Sequence, residues 1–260
     1  MRNLKRTLSL ALASVMLVGM MSVGASAVNA SDFTDADEIV NKDAVSTMTA
    51  LGIINGKEDG SYFDPTGTVT RAEMAKMLCV AINGGVDPVL GVKDTPTFTD
   101  IKGHWAESYI EYCAANGIIA GRGNNKFDPT GTVSATEAAK MLLGVLGYNA
   151  EKSGLVGNDW AINTNVLANQ NGLYKNLSNL NANTLLTRDN AAQMIYNALD
   201  ANMVELNAAG NYTTSQYSYT GTESVVTGTE RVWVLTIKEN NCTDSGIKAA
   251  VDALSGSVYN

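Results

Sequence analysis

The chain has 260 residues, with 18 Lys and Arg against 26 Asp and Glu, one His and three Cys, and 45% of its residues are hydrophobic. That composition is typical of a globular protein and excludes a disordered one, and the length allows one large domain or two small ones. A formal charge of −8 without basic clusters argues against nucleic acid as a partner. One His without paired Cys argues against a bound metal, a cofactor or a cysteine nucleophile.

The N-terminus has the order of a secretory signal peptide. Three basic residues within the first six precede an apolar run from Leu8 to about Val23, and small residues follow at 25–27. We predict a signal peptide over 1–27, with cleavage possible up to residue 30. A transmembrane helix is the alternative, but the run is barely long enough to span a membrane. Cleavage removes three positive charges and leaves 15 against 26, so we expect an acidic secreted chain without membrane contact.

One sequence unit recurs along the chain. The recurring motifs are Phe-Thr-Asp at 33–35 and 98–100, Gly-Ile-Ile-x-Gly at 52–56 and 117–121, and Phe-Asp-Pro-Thr-Gly-Thr-Val at 63–69 and 127–133. A weaker third copy is anchored by Trp160, twelve residues before Gly172, in the way that Trp105 lies twelve residues before Gly117. The third copy continues to Thr187-Arg188, which matches Thr70-Arg71.

Each copy is predicted to fold as helix, loop and helix. The apolar residues after Trp105 follow helical spacing and end at Asn116-Gly117. This pair is typical of an α-helix C-terminus that is closed by a residue in the left-handed backbone conformation. The Asp-Pro-Thr-Gly segment predicts a type I turn, and Thr70 and Ser134, each with a Glu three residues later, predict capping boxes. The second helices carry the same apolar stripe with Met, which we interpret as core rather than as a partner groove.

Two short helices cannot bury both apolar stripes alone, so the copies should share one core. The predicted fold class is mainly α, with three helix-loop-helix repeats packed as a pseudo-threefold bundle and a small β-containing C-terminal segment. The expected divisions are repeats at 31–94, 95–153 and 154–203, a linker at 204–230, and a short strand and helix segment at 231–260. A strand is expected from Val232 to Ile237 and a helix from Ile247 to Leu254.

The ordered motifs Phe-Thr-Asp, His-Trp-Ala, Asn-Gly-Ile-Ile, Phe-Asp-Pro and Thr-Arg-Ala-Glu resemble the S-layer homology repeat of bacterial cell-surface proteins, over residues 33–203. The resemblance implies a three-pronged bundle whose grooves hold a secondary cell-wall polysaccharide, often bearing a pyruvate ketal, and tether the protein to the wall. It implies a secreted, noncatalytic protein of the bacterial cell wall or S-layer. The partners would be a peptidoglycan-linked glycan and other S-layer proteins.

Candidate polysaccharide-binding residues follow from the motifs. A Trp ring can stack on a sugar face, an Arg in a first helical turn can pair with a pyruvyl carboxylate, and a Gly allows close approach of backbone to a sugar. The alternative for a Trp is packing in the core, for an Arg a surface ion pair, and for a Gly the geometry of a turn. The candidates are Arg71, Arg188, Trp105, Trp160, Asp100, Gly56 and Gly121. His104 is expected to hydrogen-bond locally.

The copies depart from the family pattern at different places. Val40 stands where the other copies have Trp, Ala135 stands where the Arg should be, and the third copy lacks Phe-Thr-Asp. We therefore expect one or two sites that are competent to bind polysaccharide. Two alternatives remain open: degenerate repeats that assemble as a structural module without sugar, and an envelope enzyme whose catalytic part lies in or beyond 204–260.

The three cysteines are odd in number and far apart. Cys79 and Cys113 fall within apolar helical patterns, which favours buried small hydrophobic residues over a disulfide. A calcium loop at 55–66 is disfavoured, because Lys57 and Thr66 stand at its third and twelfth positions.

Overall fold

A computed structural model of the chain describes residues 28–57, 59–177, 180 and 183–214, together with strands at 217–225 and 231–239. The helices are α1 (Lys42–Ala50), α2 (Arg71–Ile82), α3 (Glu107–Ala115), α4 (Ala135–Val145), α5 (Trp160–Gln170) and α6 (Arg188–Leu199). Short 3-10 turns at Ala30–Asp32 and Ala36–Glu38 precede α1. The fold is mainly α, as predicted. The predicted signal peptide lies outside the described residues.

The helix ends follow the capping chemistry read from the sequence. Thr70 and Ser134 form reciprocal capping boxes with Glu73 and Glu137 at the starts of α2 and α4, which confirms both predictions. Thr187 caps α6 by accepting from the backbone N–H of Asn190. The predicted left-handed terminus of α3 is also confirmed, since Gly117 has φ +71°.

The segments before α2, α4 and α6 meet at the centre of the molecule. Val69 donates its backbone N–H to Leu186 O (2.9 Å), Leu186 donates to Val133 O (2.8 Å), and Val133 donates to Val69 O (2.9 Å). All three side chains are buried. These hydrogen bonds close a cycle that satisfies one backbone N–H and one carbonyl group of each of the three residues.

The helices pack in the same cyclic sense. α2 packs on α3, α4 packs on α5, and α6 packs on α1, while α4 also contacts both α2 and α6. The stripe that includes Met74, Met77, Met141 and Met194 is buried, so its interpretation as core is confirmed. Each second helix therefore packs mainly on the first helix of a neighbouring pair rather than on that of its own pair.

The C-terminal part contains two antiparallel hairpins. β1 (Val204–Leu206) pairs with β2 (Tyr212–Thr214), and β3 (Tyr217–Val225) pairs with β4 (Arg231–Glu239), which includes the predicted strand at 232–237. The expected linker at 204–230 thus contains three strands. Its first hairpin packs on the end of α4, where Val204 N–H donates to Leu146 O (2.8 Å) and the Tyr148 and Tyr212 rings lie 5.1 Å apart. The predicted helix at 247–254 lies outside the described residues.

Candidate functional site

The two Phe-Asp-Pro turns are held by carboxylates from the preceding Phe-Thr-Asp motifs. Asp100 accepts the backbone N–H groups of Phe127 and Asp128, both at 2.8 Å, and Asp35 accepts those of Phe63 (2.9 Å) and Asp64 (2.7 Å). Desolvation favours protonation of Asp100, but the two N–H bonds together prevail and hold its pKa below the ordinary value. The candidate Asp100 therefore supports the turn from within the protein.

Each turn presents a carbonyl and an aromatic ring to an arginine from another helix pair. Arg188, at the start of α6, donates from Nε to Phe63 O (2.7 Å) and from Nη2 to Asn55 O (2.8 Å), with its guanidinium carbon 5.0 Å from the Phe63 ring centroid. Among the described residues, no partner accepts from its Nη1. We call Arg188, Asn55, Gly56, Lys57 and Phe63 the Arg188 cluster.

Arg71, at the start of α2, repeats this geometry on the next turn. It donates from Nε to Phe127 O and from Nη2 to Ala120 O, both at 2.7 Å, and its guanidinium carbon lies 4.3 Å from the Phe127 ring centroid. Its Nη1 lies 3.4 Å from Glu137 Oε1. We call Arg71, Ala120, Gly121, Arg122 and Phe127 the Arg71 cluster.

The two arginines differ in access to solvent. Arg71 is 3% exposed, and burial lowers its pKa from 12.5 to about 10. Arg188 is only partly buried, although burial lowers its pKa as well. Both guanidinium groups join two helix pairs, but only Arg188 retains an accessible edge.

The candidate glycines lie beside these guanidinium contacts, because Gly56 follows Asn55 and Gly121 follows Ala120. A Cβ at Gly56 would lie 2.3 Å from Gly60 O, and one at Gly121 would lie 2.7 Å from Lys126 O and 2.8 Å from the Phe98 ring. Only Gly therefore fits either position without movement of the backbone.

A second cation distinguishes the clusters. Lys57 pairs with Asp64 in the Arg188 cluster, whereas Arg122 in the Arg71 cluster binds Asp128 (2.6 Å), Thr132 O (2.9 Å) and both oxygens of Glu137 (2.8 and 2.9 Å). Desolvation favours protonation of Glu137, but the Ser134 N–H and Arg122 prevail and hold its pKa below the ordinary value. The acceptors around the Arg71 cluster are thus already engaged by protein donors.

The place where each second helix begins against a neighbouring helix pair is called a junction, and the third junction, at the start of α4, has no equivalent arginine. Ala135 begins α4 and donates its backbone N–H to Thr184 O (3.0 Å), and Leu185 beside it is 49% exposed. The sequence expectation that the three junctions are unequal agrees with this geometry.

The two tryptophans lie at the starts of first helices, away from the arginine contacts. Trp105 precedes α3 by two residues, is 56% exposed and has its ring centroid 6.4 Å from that of Tyr109. Trp160 begins α5 and is partly buried, with Lys140 Nζ 5.1 Å from its ring centroid. His104 accepts the Ala106 N–H at Nδ1 (3.1 Å), which is the local role expected for it.

The structure therefore joins Arg71, Asp100 and Gly121 around Phe127, and Arg188 and Gly56 around Phe63. It does not bring Trp105 or Trp160 into direct contact with either group. The sequence reasoning did not name the partners of these side chains, which are Lys57, Arg122, Asp35, Phe63 and Phe127, although the repeated Phe-Thr-Asp and Phe-Asp-Pro motifs already marked three of them. In the described part of the chain, no three His, Cys, Asp or Glu residues form a group suited to a metal ion.

Comparison with known proteins identifies the S-layer homology domain at residues 32–75 and 97–139. A cell surface protein of Thermoanaerobacter kivui is 28% identical over 207 residues, which is 79% of this chain and 26% of that protein. An S-layer protein of Bacillus licheniformis is 32% identical over 111 residues, 43% of this chain and 12% of the relative. Exoglucanase XynX of Acetivibrio thermocellus is 28% identical over 156 residues, 56% and 14% of the respective chains.

The chain spans about a quarter or less of the length of these relatives. The two S-layer homology domains and the relatives at cell surfaces indicate a secreted surface protein associated with the cell wall. Among the helices that the structure describes, none has the length and hydropathy needed to cross a bilayer.

Proposed function

We propose that the chain anchors itself noncovalently to the cell wall by binding an acidic secondary wall polysaccharide, and that it does so without catalysis. The proposal includes a third, divergent repeat at 154–203, beside repeats at 31–94 and 95–153. The cyclic hydrogen bonds of Val69, Val133 and Leu186 support the third repeat, because each residue holds an equivalent place before a second helix.

The observation that carries the proposal is the geometry of the Arg188 cluster. Two of the three guanidinium nitrogens of Arg188 are fixed by backbone carbonyls, so the group is preorganised, and Nη1 remains for a ligand. A carboxylate on a sugar would accept a charge-assisted hydrogen bond there, and Lys57 would supply a second cation once it leaves Asp64. Gly56 keeps the adjoining backbone free of a side chain.

Arg71 has a different part in this proposal. Its burial and its engagement by Phe127, Ala120 and Glu137 suit a positioning residue that fixes the loop at 120–127. The Arg122 bonds to Glu137 leave that cluster fewer donors for a glycan than the Arg188 cluster has. We therefore assign the main carboxylate contact to Arg188 alone.

Exposed aromatic rings would add sugar contacts outside the arginine clusters. Trp105 is 56% exposed and lies beside Tyr109, whereas Trp160 is partly buried and lies beneath the Lys140 ammonium. A flat ring next to a cation is suited to stacking on the C–H face of a sugar with acidic substituents. Each tryptophan would contribute affinity, while Arg188 would contribute selectivity for the carboxylate.

The test is cosedimentation of the secreted chain with purified cell walls, before and after acid removal of the secondary polysaccharide. Arg188→Lys keeps the charge but loses the planar fork, and Lys152→Ala removes one exposed positive charge as a matched control. We expect binding only to unstripped walls, at least a tenfold weaker affinity for Arg188→Lys, which is about 1.4 kcal/mol, and no change for Lys152→Ala. Thermal unfolding of each variant verifies that it is folded.

Equal binding of wild type and a folded Arg188→Lys variant would refute the assignment of Arg188. Equal pelleting with stripped and unstripped walls would refute the polysaccharide as the ligand.

Assembly with other surface proteins or with copies of the chain is the second candidate function. Ile162 and Val166 lie one turn apart on α5 and are 65% and 53% exposed, a pattern that favours a protein contact on that helix. Pelleting without walls that is abolished by Ile162→Asp would support this function over polysaccharide anchoring.

A further inference from the structure

Two cysteines from different helix pairs meet inside the core. Cys79 lies on α2 and Cys113 on α3, they are 1% and 0% exposed, and their Sγ atoms are 3.4 Å apart. The Cys79 thiol also lies 3.5 Å from Tyr109 O, and the Cys113 thiol lies 3.7 Å from Ala75 O. A disulfide has its sulfurs about 2.05 Å apart, so the two thiols need to approach by only about 1.4 Å more.

We propose that Cys79 and Cys113 form a disulfide in the secreted protein and thereby tie the first helix pair covalently to the second. Disulfides persist in the oxidising space outside the cell, which is where a cell-wall-associated chain resides. The two helices that carry the sulfurs pack directly on each other, so the bond would reinforce an existing interface. Neither the S-layer homology match nor the polysaccharide proposal requires this bond.

The chemistry needs an external oxidant, and a small disulfide is the class that fits. A thiolate of one cysteine attacks the oxidant disulfide and releases one thiol, and the thiolate of the second cysteine then attacks the mixed disulfide and releases the other. The two cysteines lose two protons and two electrons, and the oxidant becomes two thiols.

Burial sets the time at which the reaction occurs. The hydrogen bond with Cys79, together with desolvation, raises the pKa of the Cys113 thiol in the folded chain, and a protonated buried thiol is a poor nucleophile. The bond therefore forms during folding, before α2 and α3 close over the sulfurs. The folded reduced protein should react slowly with the same oxidant.

The test begins with wild-type chain recovered from the outside of expressing cells, unfolded in guanidinium chloride so that buried thiols become accessible, and alkylated with iodoacetamide without reductant. Trypsin places the three cysteines on separate peptides, at 77–93, 103–122 and 239–248. Mass spectrometry should find the first two peptides linked and the Cys242 peptide alkylated. Iodoacetamide labels on both Cys79 and Cys113, or a link from Cys242 to either, would overturn the proposal.

A second measurement does not depend on peptide recovery. Dithiothreitol should lower the melting temperature of the wild type and of Cys242→Ser by about 5–15 °C, because the bond closes a loop of about 35 residues in the unfolded chain. The double variant with Cys79→Ala and Cys113→Ala should melt at the same temperature with and without dithiothreitol. Refolding the reduced wild type with oxidised glutathione should restore the higher melting temperature, and failure to do so would contradict formation during folding.

Discussion

Replacement of Arg71 by Ala tests whether this buried arginine holds two helix pairs together. The change removes the Nε bond to Phe127 O and the Nη2 bond to Ala120 O, and it leaves Glu137 without the nearby Nη1. Each hydrogen bond from a charged donor contributes about 1.5–3 kcal/mol, and breaking a buried ionic contact costs about 3–5 kcal/mol. Because the Arg71 side chain is 4% exposed, solvent cannot replace these contacts. We expect Arg71→Ala to lower the free energy of unfolding by about 3–5 kcal/mol.

Urea unfolding followed by circular dichroism measures this loss. Arg122→Ala is the matched control, because it removes the same type of charge from the same cluster while its side chain is 35% exposed, and we expect a smaller loss of about 1–2 kcal/mol. Arg71→Lys should recover only a minor part of the loss, since an ammonium cannot reach both carbonyls with a planar fork. An Arg71→Ala variant that loses less than about 1 kcal/mol would refute the reasoning that the guanidinium joins the pairs.

Three further predictions concern stability. Ser134→Ala should cost about 1 kcal/mol in urea unfolding by removing the cap of α4, and Ser134→Asn should restore most of it. The pKa of Glu137 is held below 4.5 in the folded state, so the stability that its carboxylate contributes is present above about pH 4.5. This contribution is lost as the pH falls through the folded-state pKa. Glu137→Gln should therefore flatten this part of the curve of unfolding free energy against pH. Gly121→Ala should lower the free energy of unfolding by about 1–3 kcal/mol, because the new Cβ would lie 2.7 Å from Lys126 O. Gly91→Ala is the control: no atom lies within 4 Å of its Cβ, and the change should be less than about 0.5 kcal/mol.

The helix starts and turns could be predicted because their chemistry is local. A capping box needs only a hydroxyl and a carboxylate three residues apart, and both Thr70 and Ser134 satisfy it. The Asp-Pro-Thr-Gly turn likewise closes within four residues, with Gly67 N–H donating to Asp64 O (3.1 Å). Sequence motifs that act through neighbours in the chain translate directly into structure.

The destinations of the arginine side chains could not be predicted, because they depend on which helix pair lies next in space. The sequence placed Arg71 and Arg188 correctly in first helical turns, but nothing local shows that each crosses to a carbonyl 56 or 125 residues away. The same limit applies to Cys79 and Cys113, which are 34 residues apart and meet only because α2 packs on α3. The hairpin within the expected linker illustrates the same limit, since Tyr212 finds its ring partner Tyr148 only when the hairpin packs at the end of α4.

The two arginine clusters share one framework but differ in the protein groups that engage their cations. Both use an Arg over a Phe ring with two carbonyl acceptors, so the framework is the same. In one cluster Arg122 binds Glu137, and the Glu137 carboxylate also faces Arg71. The charges of both arginines are thus paired within the protein. In the other, Lys57 pairs with Asp64, and no acceptor in the described part of the chain binds Nη1 of Arg188. The residue after the glycine, Lys57 or Arg122, is the difference on which the proposal of a ligand-binding Arg188 cluster rests, because Arg122 engages Glu137 while Lys57 pairs with Asp64.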